Sequence, residues 1–291
     1  MDLQYKPYRS LLYIPGSRER ALEKATELPA DGIIFDLEDA VAIDEKANAR
    51  GLVARTLRER DYGKRGLMVR INGLETEWVM DDLSVICATG PEAILLPKVH
   101  DGNDVKWLAG YLDKHANCAG TAIWAMMESP LSILNARDIA ASSPRLKGLV
   151  VGTNDLVKDL SARHKVDRAP LIPSLSLCLL AARAYGLICV DGVYNAYKDT
   201  ETLRIMCEQG RDMGFDGKTL IHPAQIEVTN EVFAPSAEEI DLARRQMAAY
   251  EEALARGQGL AVLDGNIVEN LHIVAAKRLL ASADAVEKMA G

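Results

Sequence analysis

Glu128 and Asp155 each follow a short, almost uninterrupted apolar run, WAMMES at 124–129 and GLVVGTNDL at 148–156. A buried strand that ends in a carboxylate sets that group at the mouth of a parallel barrel. Two such carboxylates from neighbouring strands can share one small divalent cation and leave positions open for substrate oxygens. With no His/Cys cluster nearby, this donor set suits Mg²⁺, or Mn²⁺ in its place, rather than Zn²⁺. The chemistry that follows is chelation of a 2-oxo or 2-hydroxy carboxylate, with the metal as Lewis acid.

Other strand ends carry polar groups too. In chain order they are Pro15-Gly16-Ser17, Asp36-Leu37-Glu38-Asp39, Arg70 with Asn72, Lys98, Glu128, Asn154-Asp155, Asp191 and His222-Pro223. Asp36, Glu38 and Asp39 either cap the helix that follows or orient Lys, Arg and metal-bound water. Arg70 closes an apolar strand, where an unpaired guanidinium is costly. It either binds this acidic group or grips a substrate carboxylate through its fork, and the second reading is preferred. Lys98 either pairs with one of the acids or touches substrate. His222 reads as a hydrogen-bonded structural histidine, and Met126 and Met127 as core and rim fillers.

Positioning these groups requires strands at 10–14, 32–36, 67–71, 93–97, 121–127, 148–151, 186–190 and 215–221. Amphipathic stretches such as 18–28 and 44–60 lie between them, with apolar residues at helical spacing. Strands alternating with helices imply right-handed crossovers and a parallel sheet, and eight repeats imply an α/β fold closed as a (β/α)8 TIM barrel. A doubly wound open sheet is the rival, but no GxGxxG follows the first strand. The barrel is expected to occupy residues 1–235. Residues 236–291 then read as an extension of helix, hairpin and helix: a serine-capped helix at 236–256, a hairpin at 260–268 turning at Asp264-Gly265, and a helix from about 270 to 286. So small a tail is expected to pack on the barrel or on a neighbouring subunit.

The 291-residue chain carries a formal charge of −8, which argues against a nucleic-acid partner. Its five cysteines show no CxxC pairing and read as reduced apolar fillers. No apolar stretch approaches the roughly 18 residues needed to span a membrane. MDLQYKPYRS at the N-terminus lacks the apolar region of a signal peptide, so a cytoplasmic location is expected.

Eight segments in order carry a family resemblance: RSLLYIPGSRERALEKA (9–25), FDLEDAV (35–41), VRING (69–73), ILLPKV (94–99), WAMMES (124–129), VVGTNDL (150–156), VDGVYNAYKD (190–199) and DGKTLIHP (216–223). Together they resemble the citrate lyase β-subunit-like (HpcH/HpaI aldolase) family over essentially the whole chain. That family includes malyl-CoA, citramalyl-CoA and citryl-CoA lyases and a malyl-CoA thioesterase branch. The resemblance implies that Glu128 and Asp155 ligate Mg²⁺ and that Arg70 engages the oxyacid end of the substrate; Arg70, Asp36 and Glu269 are the expected catalytic residues. It implies that Arg18 and Lys24, beside Tyr13 and Pro15, meet the CoA portion, where the N-terminus of the following helix also suits an anion. A homotrimer or homohexamer is implied, its C-terminal segment capping a neighbour's active site.

Two departures from the family pattern stand out. Asn154 replaces an acid that many members carry before the metal aspartate. In the tail, lyases of the family typically read DGKMID, with the last aspartate as acid/base, whereas this chain reads DGNIVEN and places Glu269 there. The extra methylene moves the carboxylate by about 1.5 Å, and an error of about 1 Å in a proton-transfer group can cost on the order of 10²-fold. A glutamate suits holding water against a thioester carbonyl as general base. The segment looks most like the thioesterase branch, which implies hydrolysis of (3S)-malyl-CoA to malate and CoA. The alternatives are a C–C lyase releasing an acyl-CoA and a 2-oxoacid, a CoA-free aldolase, and a non-catalytic scaffold subunit.

Overall fold

The computed structural model describes residues 6–290; residues 1–5, part of the N-terminal stretch expected to lack a signal peptide, lie outside the described residues. Eight parallel strands close into a barrel in sequence order. They are β1 (Ser10–Pro15), β2 (Gly32–Asp36), β3 (Gly66–Arg70), β4 (Ala93–Leu96), β5 (Ala122–Met127), β6 (Leu146–Val151), β7 (Ile188–Asp191) and β8 (Gly217–Leu220), and β1 pairs with β8 to close the ring. All eight expected strands form, and the open-sheet rival is excluded by that closure.

These strands form because their apolar runs are buried on both faces, as a sheet sheathed in helices requires. β2 and β4 are buried at every position. Leu11, Ile34, Met68, Leu95, Trp124, Val150 and Val190 belong to one packed cluster drawn from seven strands, so the barrel is filled rather than hollow. Polar residues gather where the strands end. The register makes this concrete: Asp36 of β2 lies opposite Arg70 of β3, and Asp191 of β7 lies opposite Lys218 of β8.

The helix expected over 18–28 is shorter, Glu19–Lys24. Thr26 and Glu27 donate to carbonyls only three residues back, and the Thr26 hydroxyl bonds Glu23 O at 2.7 Å. This tightened turn ends the helix before Pro29. By contrast, the helix expected over 44–60 forms at Lys46–Glu59. All five cysteines are buried and unpaired.

The chain separates into two compact units, Tyr8–Glu231 holding the barrel and a second containing 232–290. In the second, Ser236 caps the helix Ala237–Ala255 with a reciprocal bond to Glu239. β9 (Ala261–Leu263) and β10 (Asn266–Val268) pair antiparallel around Asp264-Gly265, both at positive φ as a tight hairpin requires. The helix Asn270–Ala290 follows. This unit's own core is small, centred on Ala253, Ala261, Val268 and Ile273. Val262, Ile267, Leu271 and Val274 are exposed. Among the described residues, no helix is long and apolar enough to cross a membrane.

Candidate active site

Glu128 follows β5 and is 2 % exposed; Asp155 lies in the first turn of the helix Thr153–Asp159 that follows β6. Both reach one point of positive charge, the Lys98 ammonium. Glu128 Oε1 is 3.6 Å from Lys98 Nζ, and Asp155 Oδ2 is hydrogen-bonded to it. Glu38 and Asp39 approach the same nitrogen at 3.7 and 4.0 Å. Lys98 therefore pairs with the acids. Its backbone is left-handed, φ 52°, and its N–H donates to Glu128 Oε1 at 2.7 Å. A non-glycine residue held there stores strain that surrounding contacts must sustain.

Gly152 makes room for Glu128. A Cβ at that position would lie 2.4 Å from Glu128 Cβ and 2.6 Å from its Oε2. The two carboxyls are pushed in opposite directions. Burial raises that of Glu128, against the opposing Lys98 charge and backbone N–H. For Asp155, hydrogen bonds from Lys98 and Lys158 outweigh burial and hold it below the usual carboxylate range.

Beside this pair, Arg70 and Asp36 form a buried fork. Arg70 Nε meets Asp36 Oδ1 at 2.7 Å and Nη2 meets Oδ2 at 2.6 Å. Asp36 also accepts backbone bonds from Glu38 and Ala40, so both of its oxygens are engaged. The preferred reading of Arg70, a fork around a substrate carboxylate, gives way to the acidic-cluster alternative for Nε and Nη2. Nη1 lies 3.0 Å from Glu38 Oε2, and the guanidinium sits 4.7 Å from the centre of the Tyr13 ring. Asp36 thus orients Arg70 and caps the chain after β2. Its position is that of a positioning group rather than an acid or base.

A cavity of about 290 Å³ joins these residues. Tyr13, Asp36, Asp39, Arg70, Glu128 and Asp155 are among those that line it. Its lining carries four carboxylates and the Arg70 guanidinium, with the Lys98 ammonium paired to Glu128 and Asp155 beside it, an excess of negative charge that suits a hard divalent metal. Among the described residues no group of three or more His, Cys, Asp or Glu side chains is arranged to hold a metal. A cation here would rest on two protein carboxylates and take its other ligands from water or substrate.

A family model described as HpcH/HpaI aldolase/citrate lyase matches residues 9–223. The chain belongs to that family. It is 58 % identical over 286 residues, 98 % of each chain, to a (3S)-malyl-CoA thioesterase of Cereibacter sphaeroides. It is 33 % identical to the citrate lyase β subunit of Escherichia coli, over 95 % of this chain and 93 % of that one. Among solved structures, the protein CitE of Mycobacterium tuberculosis in complex with magnesium, acetoacetate and coenzyme A superposes with TM-score 0.80 at 29 % identity. That match covers 97 % of this chain and 99 % of the other.

Within this family member, the residues expected to meet CoA do not all converge. Pro15 and Arg18 line an open groove with Ser17 and Arg20. Lys24 is exposed at the far end of the short helix and does not line it. At six residues that helix is too short to offer the N-terminal anion site expected of it. Glu269 belongs to the second unit, where it is exposed just before the last helix; its N–H donates to His272 Nδ1 at 3.0 Å. His222 has the structural role expected: Nδ1 accepts from Ala224 N and the ring stacks on Tyr197, centroids 4.2 Å apart. Asn154 exchanges amide bonds with Asn195, both at 3.2 Å.

Sequence reasoning missed Lys46. Its ammonium is buried and donates to the carbonyls of Leu37 and Glu38 at 2.9 Å, fixing the acidic loop after β2. It also missed the Asp82 carboxylate, which holds Asn72 through the backbone at 2.9 Å and through the side chain at 2.6 Å. Both lie on helical segments whose charges look solvated in the sequence.

Proposed function

We propose that this chain hydrolyses the thioester of (3S)-malyl-CoA, giving malate and free CoA, in a magnesium-dependent site at the barrel mouth. The observation that carries this reading is the 58 % identity, over 98 % of both chains, to the Cereibacter sphaeroides thioesterase. Convergence of Glu128 and Asp155 on a single cationic point supports it.

Glu128 and Asp155 would hold Mg²⁺, which supplies Lewis-acid charge for the hydroxy-acid end of the substrate. Arg70, locked by Asp36, keeps Nη1 and its ring contact with Tyr13 facing that end. Pro15 and Arg18 form the side of the mouth where a CoA chain would leave. Glu269, presented by a neighbouring copy, takes a proton from water as its oxygen bonds to the thioester carbonyl carbon. The C–S bond then breaks, and the thiolate leaves with a proton returned from the carboxyl. The tail's exposed Val262, Ile267, Leu271 and Val274 fit a segment that packs on another copy in a homotrimer or homohexamer. Barrel 1–235 and tail 236–291 would then be catalytic body and cover, in a cytoplasmic enzyme.

Incubation with malyl-CoA and Mg²⁺, following free thiol and glyoxylate separately, tests the reaction. Thiol release without glyoxylate is expected. Glyoxylate and acetyl-CoA appearing in step with substrate loss would replace hydrolysis by C–C cleavage, the second reading, which the 33 % identity to citrate lyase β favours. Glu269→Gln is expected to lower kcat by about 10²–10⁴-fold. Mixing it with a Glu128→Ala variant should restore activity if the two groups act across copies.

A further inference from the structure

A second cavity, of about 420 Å³, opens at the same end of the barrel, beyond the ends of β6 and β7. It shares Thr153, Asn154, Val193 and Asn195 with the acidic cavity, yet its charge is opposite. Arg163, His164, Lys165, Arg168 and Lys218 line it, and no aspartate or glutamate does. That is unusual on a chain of charge −8.

Two of these cations are interior. Arg168 is 4 % exposed and Lys218 1 %. Both bond one oxygen of Asp191, with Arg168 Nη1 at 2.5 Å and Lys218 Nζ at 3.0 Å from Oδ2. The other Asp191 oxygen accepts from Gly192 N at 2.8 Å. Arg168 Nε goes to the neutral amide of Gln209 at 2.6 Å. Two buried positive charges thus share one negative charge, and Arg168 Nη2 is buried with no hydrogen-bond partner. An interior donor left so is costly unless something accepts from it. Arg168 is also held at φ 52°, in the left-handed region. Such strain marks a side chain whose direction matters more than its backbone comfort.

We propose that this cavity binds a small organic carboxylate, its carboxyl group drawn to the uncompensated charge of the Arg168–Lys218 pair and its hydrocarbon body lying against Val166, Pro170, Leu171, Val193 and Met206. One uncompensated interior charge matches a monoanion, whereas inorganic phosphate brings more charge and no apolar body to cover those walls. The exposed Arg163, His164 and Lys165 add attraction at the entrance. This site stands apart from the proposed hydrolysis and does not depend on it.

Calorimetric titration of the full-length protein with hexanoate, without magnesium so that the acidic cavity offers no carboxylate site, tests the proposal. Hexylamine and inorganic phosphate serve as matched probes. Saturable hexanoate binding is expected, with neither control competing. Arg168→Lys, which removes the guanidinium donor, should weaken it by about tenfold or more. Because a buried arginine can also matter for folding, the exposed pair Arg163→Glu with Lys165→Glu gives an independent reading, expected to be severalfold weaker. Hexanoate binding no better than hexylamine overturns the proposal. So does binding unchanged in both variants, or phosphate binding where hexanoate does not.

Discussion

The two cavities at the barrel mouth are built by the same device with the signs exchanged. Each rests on an acid–base pair in register across adjacent strands, Asp36 with Arg70 and Asp191 with Lys218. Each has a cation held in left-handed backbone, Lys98 in one and Arg168 in the other. In the first, carboxylates crowd around the cation and Glu38 Oε2 is buried without a hydrogen bond. In the second, cations crowd around one carboxylate and an arginine nitrogen is left over. A shared wall of Thr153, Asn154, Val193 and Asn195 therefore separates a place suited to a metal from a place suited to an anion. Barrel geometry supplies the positions, and residue type at each strand end decides the sign.

The largest effect expected from disturbing this contrast is at Asp191. Asp191→Ala leaves Arg168 and Lys218 facing one another without compensation, and urea unfolding should show a loss of about 3–5 kcal/mol. Next is Asp155→Ala, which removes half the acidic site's donor pair. Magnesium affinity by calorimetry should fall by at least about 10²-fold, since even indirect supports of a ligand cost that much. If magnesium binding survives both Asp155→Ala and Glu128→Ala, the two cavities do not differ in the way their charges imply.

The pH dependence of stability should run in opposite directions at the two places. Burial alone would raise the Asp191 carboxyl, but Lys218 and Arg168 outweigh it and hold it below the usual range. Its contribution is then present above the unfolded carboxylate value and is lost as pH falls through the folded one. Glu38 is pushed from 4.5 up to about 8, first by burial and then by Asp39 and Glu128, with Arg70 and Lys98 opposing. The folded state keeps a proton that the unfolded chain gives up, so stability declines as pH rises from about 4.5 to about 8. In Glu38→Gln that decline should vanish from the urea midpoint measured against pH. The smallest change expected is Asn195→Ala, which removes a neutral, exposed amide pair from the dividing wall. It should cost no more than about 1 kcal/mol, while letting hexanoate and magnesium influence each other's affinity.

Much of the barrel was legible because the strands are apolar runs with polar residues at or within a few positions of their ends, and both signals survive without neighbours. Glu128, Asp155 and Asp36 were visible on that ground. The partner of Arg70 was not: a strand-end arginine says only that something anionic is near, and the cross-strand register that selects Asp36 is a property of the closed sheet. Lys218 was open to the same argument as Arg70, since a lysine inside DGKTLI must find a counter-charge once β8 is buried. Arg168 was hidden for a different reason. It sits in SARHKVDRAP, where every charged neighbour points to solvent, and nothing local marks the one that turns inward.

Gly152 gives the acidic cavity an unusual kind of fragility. Its amide bonds Met127 O at 3.0 Å, so the chain leaving β6 is tied to the end of β5, directly alongside the carboxylate that follows. The space Glu128 occupies is one absent methyl group, and no rotamer change nearby can return it. Alanine there would have to prise two neighbouring strands apart or evict the acid. Replacing one carboxylate at this mouth changes one oxygen ligand, whereas a methyl group at position 152 displaces Glu128 together with the strand end that carries it.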